Sequence, residues 1–145
     1  MGRIVASVTI DSIFDSSKSL RCDALVDTGA SYMVLPRAWK EWLGDLQTIR
    51  TVELETATQA TVHGEVCGPV KIQVEGFPPV FGEVLFVDMS PEDGIYEPLL
   101  GYIILEQSQA AVDMLGQRLI HVKRMDLKSV LGAGIVQPTA HRAGS

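Results

Sequence analysis

Apolar residues recur along this chain mostly at the spacing of β-strands. Arg3 to Ile10 is rich in Ile and Val at roughly period two. Leu20 to Val26 resumes the pattern after a polar stretch, Asp11 to Ser19, in which Asp15-Ser16-Ser17 suits a turn, so the two segments predict a hairpin. Met33 to Leu35 reads as a short strand. Pro36 to Leu43 changes the rhythm and predicts a helix. Proline suits a first helical turn, Trp39, Trp42 and Leu43 fall at i, i+3 and i+4, and Gly44 fits a C-terminal cap. Core packing is the expected role of that tryptophan face, ahead of a ligand platform.

From Thr48 strands return. Thr48 to Glu55 alternates with Val52 and Leu54 on one face, and Thr61 to Val66 alternates again. Cys67-Gly68-Pro69 predicts a turn before a strand at Val70 to Val74. Val84-Leu85-Phe86-Val87 is a continuous apolar run, as expected of a strand buried on both faces. Leu99-Leu100-Gly101 leads into Tyr102 to Gln107, one or two helical turns. Ala111 to Met114, a turn at Leu115-Gly116-Gln117 and Arg118 to Lys123 predict a last hairpin, and Met125 to Leu131 a short helix. The expectation is a mainly antiparallel all-β domain over residues 1–124 with one or two short helices. Residues 125–145 read as a partly flexible extension, because Gly132, Gly134, Pro138 and Gly144 leave little to bury.

Composition narrows the function. With 145 residues, 46% of them hydrophobic, the chain can fill the core of one ordinary domain. The net charge of −6 and the lack of a basic run argue against nucleic acid as the main partner. No apolar run approaches the length of a membrane span, and Met1 to Ser7 has no signal-peptide core. Gly2 does not open a myristoylation motif, since Ala6 stands where Ser or Thr is needed. A soluble, cytoplasmic chain is the expectation, with no membrane partner. Cys22 and Cys67 make neither a disulfide framework nor a metal set and read as reduced thiols. His63, His121 and His141 match no ligand spacing.

One stretch stands out chemically. Ala24-Leu25-Val26 runs straight into Asp27-Thr28-Gly29-Ala30-Ser31, then into Met33-Val34-Leu35. A carboxylate at the end of a buried strand is costly unless paired or hydrogen-bonded, and such carboxylates cluster at functional sites. The bland alternative is a turn aspartate ahead of glycine. The surrounding pattern favours a catalytic Asp27. Asp113 reads as a structural acid at a strand end, and Glu53, Glu55 and Glu65 as lining the solvent faces of their strands.

The strand ending in Val26-Asp27-Thr28-Gly29-Ala30-Ser31, a hairpin about thirty residues on, and the late Leu99-Leu100-Gly101 before a short helix resemble the retropepsin-like aspartic proteases, the single-domain virus-type members and their prokaryotic relatives. The resemblance spans roughly residues 3–124 and implies a closed, barrel-like sheet of the acid-protease type. It implies that Asp27 is the catalytic aspartate. Thr28 would be the threonine whose hydroxyl bonds across to the other half of the site, and Gly29 the glycine whose amide lies near the carboxylate. Ala30 and Ser31 complete that loop. Leu99, Leu100 and Gly101 would pack behind it, and Thr56, Ala57, Thr58, Gln59 and Ala60 would occupy the flap, the lid over substrate. Two features differ from the family pattern. The flap stretch has no glycine, and Tyr102 stands where relatives often carry Arg, Asn or Asp after Gly101.

Aspartic protease chemistry needs two carboxylates that share a proton, so that one acts as base on a water while the other, protonated, polarises the peptide carbonyl. No metal or other cofactor enters that chemistry. Asp-Thr-Gly occurs once here, and Asp15-Ser16-Ser17 and Asp93-Gly94 do not supply a second. One chain therefore carries half a dyad. A two-fold homodimer would bring Asp27 and its symmetry mate together, with a peptide or protein as substrate. The segments around Arg3 to Val8 and Arg118 to Lys123 are candidates for the dimer strands. A second gene product supplying the other aspartate is a weaker alternative. The rival function of another class is a dimeric binding or scaffold module of the same fold, with little or no proteolysis.

Overall fold

The computed structural model describes residues 3–55, 61–91 and 94–122. The strands are β1 (Val5–Ser12), β2 (Ser19–Val26), β3 (Met33–Pro36), β4 (Thr48–Glu55), β5 (Thr61–Val74), β6 (Val80–Val87), β7 (Leu99–Leu100), β8 (Ala110–Asp113) and β9 (Arg118–His121). A 3-10 helix (Arg37–Leu43) follows β3, and α1 (Tyr102–Gln107) follows β7. Thr56–Ala60, residues 125–145 and the candidate helix at Met125 to Leu131 lie outside the described residues. Among the described residues, no helix is long and apolar enough to cross a membrane.

Seven strands form one sheet in the order β1-β2-β7-β3-β6-β5-β4, and an added β1–β5 pairing joins its far parts into a closed circuit. Most pairs are antiparallel, while β2–β7 and β3–β6 run parallel. β8 and β9 form a separate two-stranded sheet. The ring encloses the main core. Met33 and Leu35 of β3 and Val84 and Phe86 of β6 point into it, while Val34, Leu85 and Val87 point the other way into a smaller apolar cluster with Val66. Period two thus buries both faces of β3 and β6, which explains their unbroken apolar runs. Each such fully buried side chain contributes about 1.5–3 kcal/mol, so the strand leaving the Asp27 loop is firmly held.

Three local expectations change. Cys67-Gly68-Pro69 is not a turn. β5 continues through it with a bulge, since Cys67 faces Val84 and Val70 faces Gly82, three residues advancing against two. A bulge accepts glycine, and proline as well, because one residue there leaves the hydrogen-bond ladder. The helix after Pro36 is a 3-10 helix that Pro36 caps rather than begins. At three residues per turn Trp39 and Trp42 eclipse, and their rings stack 5.9 Å apart at 7°. Trp39 packs on the core, Trp42 is half exposed, and Leu43 turns inward alone. β6 begins at Val80, four residues earlier than its apolar run, because Phe81 and Gly82 pair with β5 at the less buried end.

Both cysteines are free, Cys67 buried and Cys22 partly buried. Burial, with the neighbouring Asp23 charge adding to it, pushes the Cys22 thiol up to about 11. Alkylation of Cys22 is therefore expected to be slow near neutral pH and to accelerate about tenfold per pH unit until the thiol ionises. Mass-spectrometric alkylation rates across a pH series check this, and a plateau near pH 8.5 would contradict it.

Candidate active site

Asp27 sits where β2 ends, and β7 slots between the strands on either side of its loop. Leu25 and Val26 pair with Leu99 and Leu100, and Val34 pairs with Leu99. The Asp27 amide donates to the Leu100 carbonyl at 3.0 Å, and the Leu25 amide to the Pro98 carbonyl at 2.9 Å. Within the loop, the Gly29 amide donates to Asp27 Oδ1 at 2.9 Å and the Ala30 amide to the Asp27 carbonyl at 3.1 Å. The carboxylate is therefore oriented by its own loop, and Gly29 is the residue whose amide reaches it. A Cβ on Gly29 would lie 3.2 Å from Asp27 Oδ1, which crowds that contact.

The loop is closed from behind by α1. The Tyr102 amide donates to the Ala30 carbonyl at 2.8 Å and the Ile103 amide to the Ser31 carbonyl at 3.2 Å. The first amides of α1 lack partners within the helix, and the loop supplies them. This is where Tyr102 acts: its backbone makes the bond while the residue stays partly exposed to solvent. Gly101 is buried, and a Cβ there would come within 2.7 Å of the Ala30 carbonyl oxygen and closer still to that of Tyr32. Leu99, Leu100 and Gly101 thus lie directly behind Asp27, Thr28, Gly29, Ala30 and Ser31.

In the single chain Asp27 is only partly buried, and Thr28, Gly29 and Ser31 are exposed. The carboxylate is not sunk in apolar surroundings as the sequence pattern implies. Leu25 and Val26, on opposite faces of β2, are each only partly buried as the strand reaches Asp27.

Two hollows flank the loop. One is a groove of about 520 Å³ with Gly29 to Tyr32 along one side and Val34, Leu54, Val62, Leu85 and Leu99 among its apolar walls. The arms β4 and β5 bound it, paired as far as Glu55 and Thr61, and the stretch expected to be the flap tip, Thr56 to Ala60, lies outside the described residues. The other hollow, about 610 Å³, brings Asp27 and Thr28 together with Ile4, Val112, Met114 and Gln117. The β8–β9 hairpin is thus beside the carboxylate. Asp113 shapes its turn: Oδ1 accepts from the Gly116 amide at 3.0 Å, and Oδ2 lies 3.3 Å from Arg118 Nε. The Gly116 amide first, then Arg118, hold the Asp113 carboxyl below its ordinary value. Arg3 to Val8 does not extend away as a free terminal strand. β1 pairs with β2 of its own chain from Val5 on, and the Ile4 carbonyl accepts from the Val26 amide at 2.8 Å.

Charged neighbours further out are structural. Glu65, expected to face solvent, is engaged by Lys40 at 3.2 Å and Arg37 at 4.0 Å, and Arg37 also reaches Asp88 at 3.2 Å. These pairs tie the 3-10 helix to β5 and to the end of β6. Glu53 and His63 lie 3.9 Å apart and exposed, a pairing of little energetic weight. Among the described residues, no group of three His, Cys, Asp or Glu is placed to hold a metal ion. Sequence reasoning missed Tyr32 and Arg50. Tyr32 follows Ser31 directly, and its hydroxyl accepts a hydrogen bond from Arg50 of β4.

No protein-family model matches the chain, and no curated protein matches it in sequence. Among solved structures, the EIAV protease complexed with the inhibitor HBY-793 matches with a TM-score of 0.52 at 22% identity, covering 73% of this chain and 88% of that one. A likeness at that identity speaks to architecture. The ring of strands, the Asp27 loop backed by β7 and α1, and that match together make this a mostly β chain with a retropepsin-like fold.

Proposed function

We propose that this chain is an aspartic endopeptidase, active as a homodimer in which Asp27 of two copies forms the catalytic pair. The observation that carries the reading is the construction of the Asp27 loop. A carboxylate is aimed by the Gly29 amide, its backbone is held by Leu100, and it stays partly exposed beside an open hollow. A turn aspartate would need none of the backing from β7 and α1. In the proposed dimer the two carboxylates share one proton, because like charges in such proximity do not both ionise. The ionised one draws a proton from water, which attacks the peptide carbonyl, and the protonated one donates to the carbonyl oxygen. Protons then return to the leaving amine and the dyad. Thr28, exposed beside Asp27, would face its counterpart and lock the two loops together. Substrate would lie as an extended peptide along the apolar groove beneath the β4 and β5 arms, with an apolar side chain against Leu54, Val62 and Leu85. The residue 1–124 domain would contain all of this, and the free cysteines suit a reducing cytoplasm.

Cleavage of an unfolded protein substrate across a pH series tests the reading. Activity in the acid to neutral range, blocked by a pepstatin-like hydroxyl-bearing mimic, is expected. A rate rising steadily into alkaline pH would contradict it, because one aspartate must keep its proton.

The hairpin beside Asp27 supports the dimer. Met114, which lines the same hollow as Asp27 and Thr28, is largely exposed, and its neighbour Leu115 is fully so. Two exposed apolar side chains next to half a site fit burial against a second copy. Met114→Glu is expected to weaken self-association about tenfold or more while the isolated chain stays folded. Sedimentation of the variant against the unaltered protein checks this, and an unchanged dissociation constant would move the dimer face elsewhere.

A further inference from the structure

Tyr32 separates two spaces. It lines the groove beside Ser31, and it also lines a distinct hollow of about 280 Å³ bounded by Arg50, Phe81, Glu83 and Gln107. Arg50 holds it from the far side. The guanidinium donates to the Tyr32 hydroxyl, which leaves its Cζ 5.6 Å from the ring centroid. The same Nη2 reaches Glu83 Oε2 of β6 at 3.0 Å.

The position of Arg50 gives these contacts their meaning. β4 is the edge strand of the sheet and pairs with β5. Its register slips between Thr48 and Arg50, so the regular arm that ends at Glu55 starts at Arg50. Above Arg50 the arm rests on the smaller apolar cluster through Val52 and Leu54 alone. The bridge from Arg50 to Tyr32 therefore links the base of the arm to the loop that carries Asp27, across a span with no backbone pairing between them.

We propose that Arg50 is a positioning residue that fixes the Tyr32 ring as the end wall of the groove and sets the β4 arm against the Asp27 loop. This role rests on the peptide-cleaving reading of the groove. Arg50 touches neither Asp27 nor the groove, so its loss acts on substrate binding and leaves the chemical step in place. Arg50→Met keeps the stem and removes every donor. Tyr32→Phe keeps the ring and removes the acceptor.

Two measurements test the role. Hydrogen exchange of the β4 amides is expected to speed up about tenfold in Arg50→Met and in Tyr32→Phe, the loss of one charge-assisted hydrogen bond. In cleavage assays both variants are expected to raise KM about tenfold for peptides long enough to fill the groove, with kcat nearly unchanged. The double variant should be no worse than Arg50→Met alone, because Arg50→Met already removes the bond that Tyr32→Phe removes. Unchanged exchange in both variants overturns the proposal, and so does a fall in kcat without a rise in KM. If the unaltered protein cleaves no peptide, the proteolytic reading falls and the exchange data alone decide the bridge. If Arg50→Met fails to fold, Tyr32→Phe carries both readouts.

Discussion

Asp27→Asn is expected to lower peptide cleavage about 10³-fold or more, within the range that a positioned acid–base group supplies. The fold should survive. Asn keeps an Oδ1 that can accept from the Gly29 amide at the place where the carboxylate now accepts at 2.9 Å. Asp27 is also partly solvent-facing, so no buried charge is left unpaired by the change. Thermal unfolding of the variant should shift by no more than about 0.5 kcal/mol in stability terms. Cleavage at the unaltered rate, with contaminating proteases excluded by purification of both forms in parallel, would end the catalytic assignment. A large loss of stability would show instead that Asp27 is a structural acid, the bland reading of Asp-Thr-Gly.

Gly101→Ala is expected to be the most damaging glycine-to-alanine change among the described residues. Its Cβ would meet the Ala30 carbonyl oxygen and the Ser31 carbonyl carbon at 2.7 Å, with the Tyr32 carbonyl oxygen nearer still. All three are backbone atoms of the loop that α1 closes, so no side chain can swing away to relieve the overlap. Overpacking that forces backbone shifts costs typically 1–3 kcal/mol and sometimes more, and this site belongs at about 3 kcal/mol or above. The displaced loop carries the carbonyls that accept from Tyr102 and Ile103, so α1 and the Asp27 loop should loosen together. Denaturant unfolding measures the stability loss, and cleavage should fall more steeply than the folded fraction. A variant as stable as the unaltered protein would mean that the loop and α1 are less tightly apposed than described.

The strands legible in the sequence are those in which one residue's neighbours decide its face. Val52 and Leu54 alternate with Glu53 and Glu55, and β3 and β6 read as unbroken apolar runs because the fold covers them twice. What local pattern misjudged was punctuation. Gly68-Pro69 looks like a chain reversal, yet the pairing of β5 with β6 on both sides of it carries the strand through as a bulge. The tryptophan stripe fits an α-helix on paper, but a seven-residue segment pinned between Pro36 and Gly44 winds at three residues per turn, which parts Leu43 from the tryptophans. In the site, Asp27-Thr28-Gly29 and Leu99-Leu100-Gly101 are legible because their chemistry is local and unusual. Arg50 and Tyr32 are eighteen residues apart and carry no motif. Only the folding of β4 back toward the Asp27 loop reveals them. The same holds for Met114, which meets Asp27 in one hollow although 87 positions separate them.

The central claim is that one chain holds half of a catalytic pair. Subunit mixing tests it most directly. The unaltered protein and Asp27→Asn are combined in equal amounts, allowed to exchange, and assayed at fixed total concentration. If both carboxylates of a dimer are needed, only dimers with two unaltered copies cleave, and the rate per total protein falls to roughly one quarter of the unaltered value, as random two-fold pairing requires. A rate of about one half would mean that each Asp27 works without its mate, and the account of a shared dyad would be wrong.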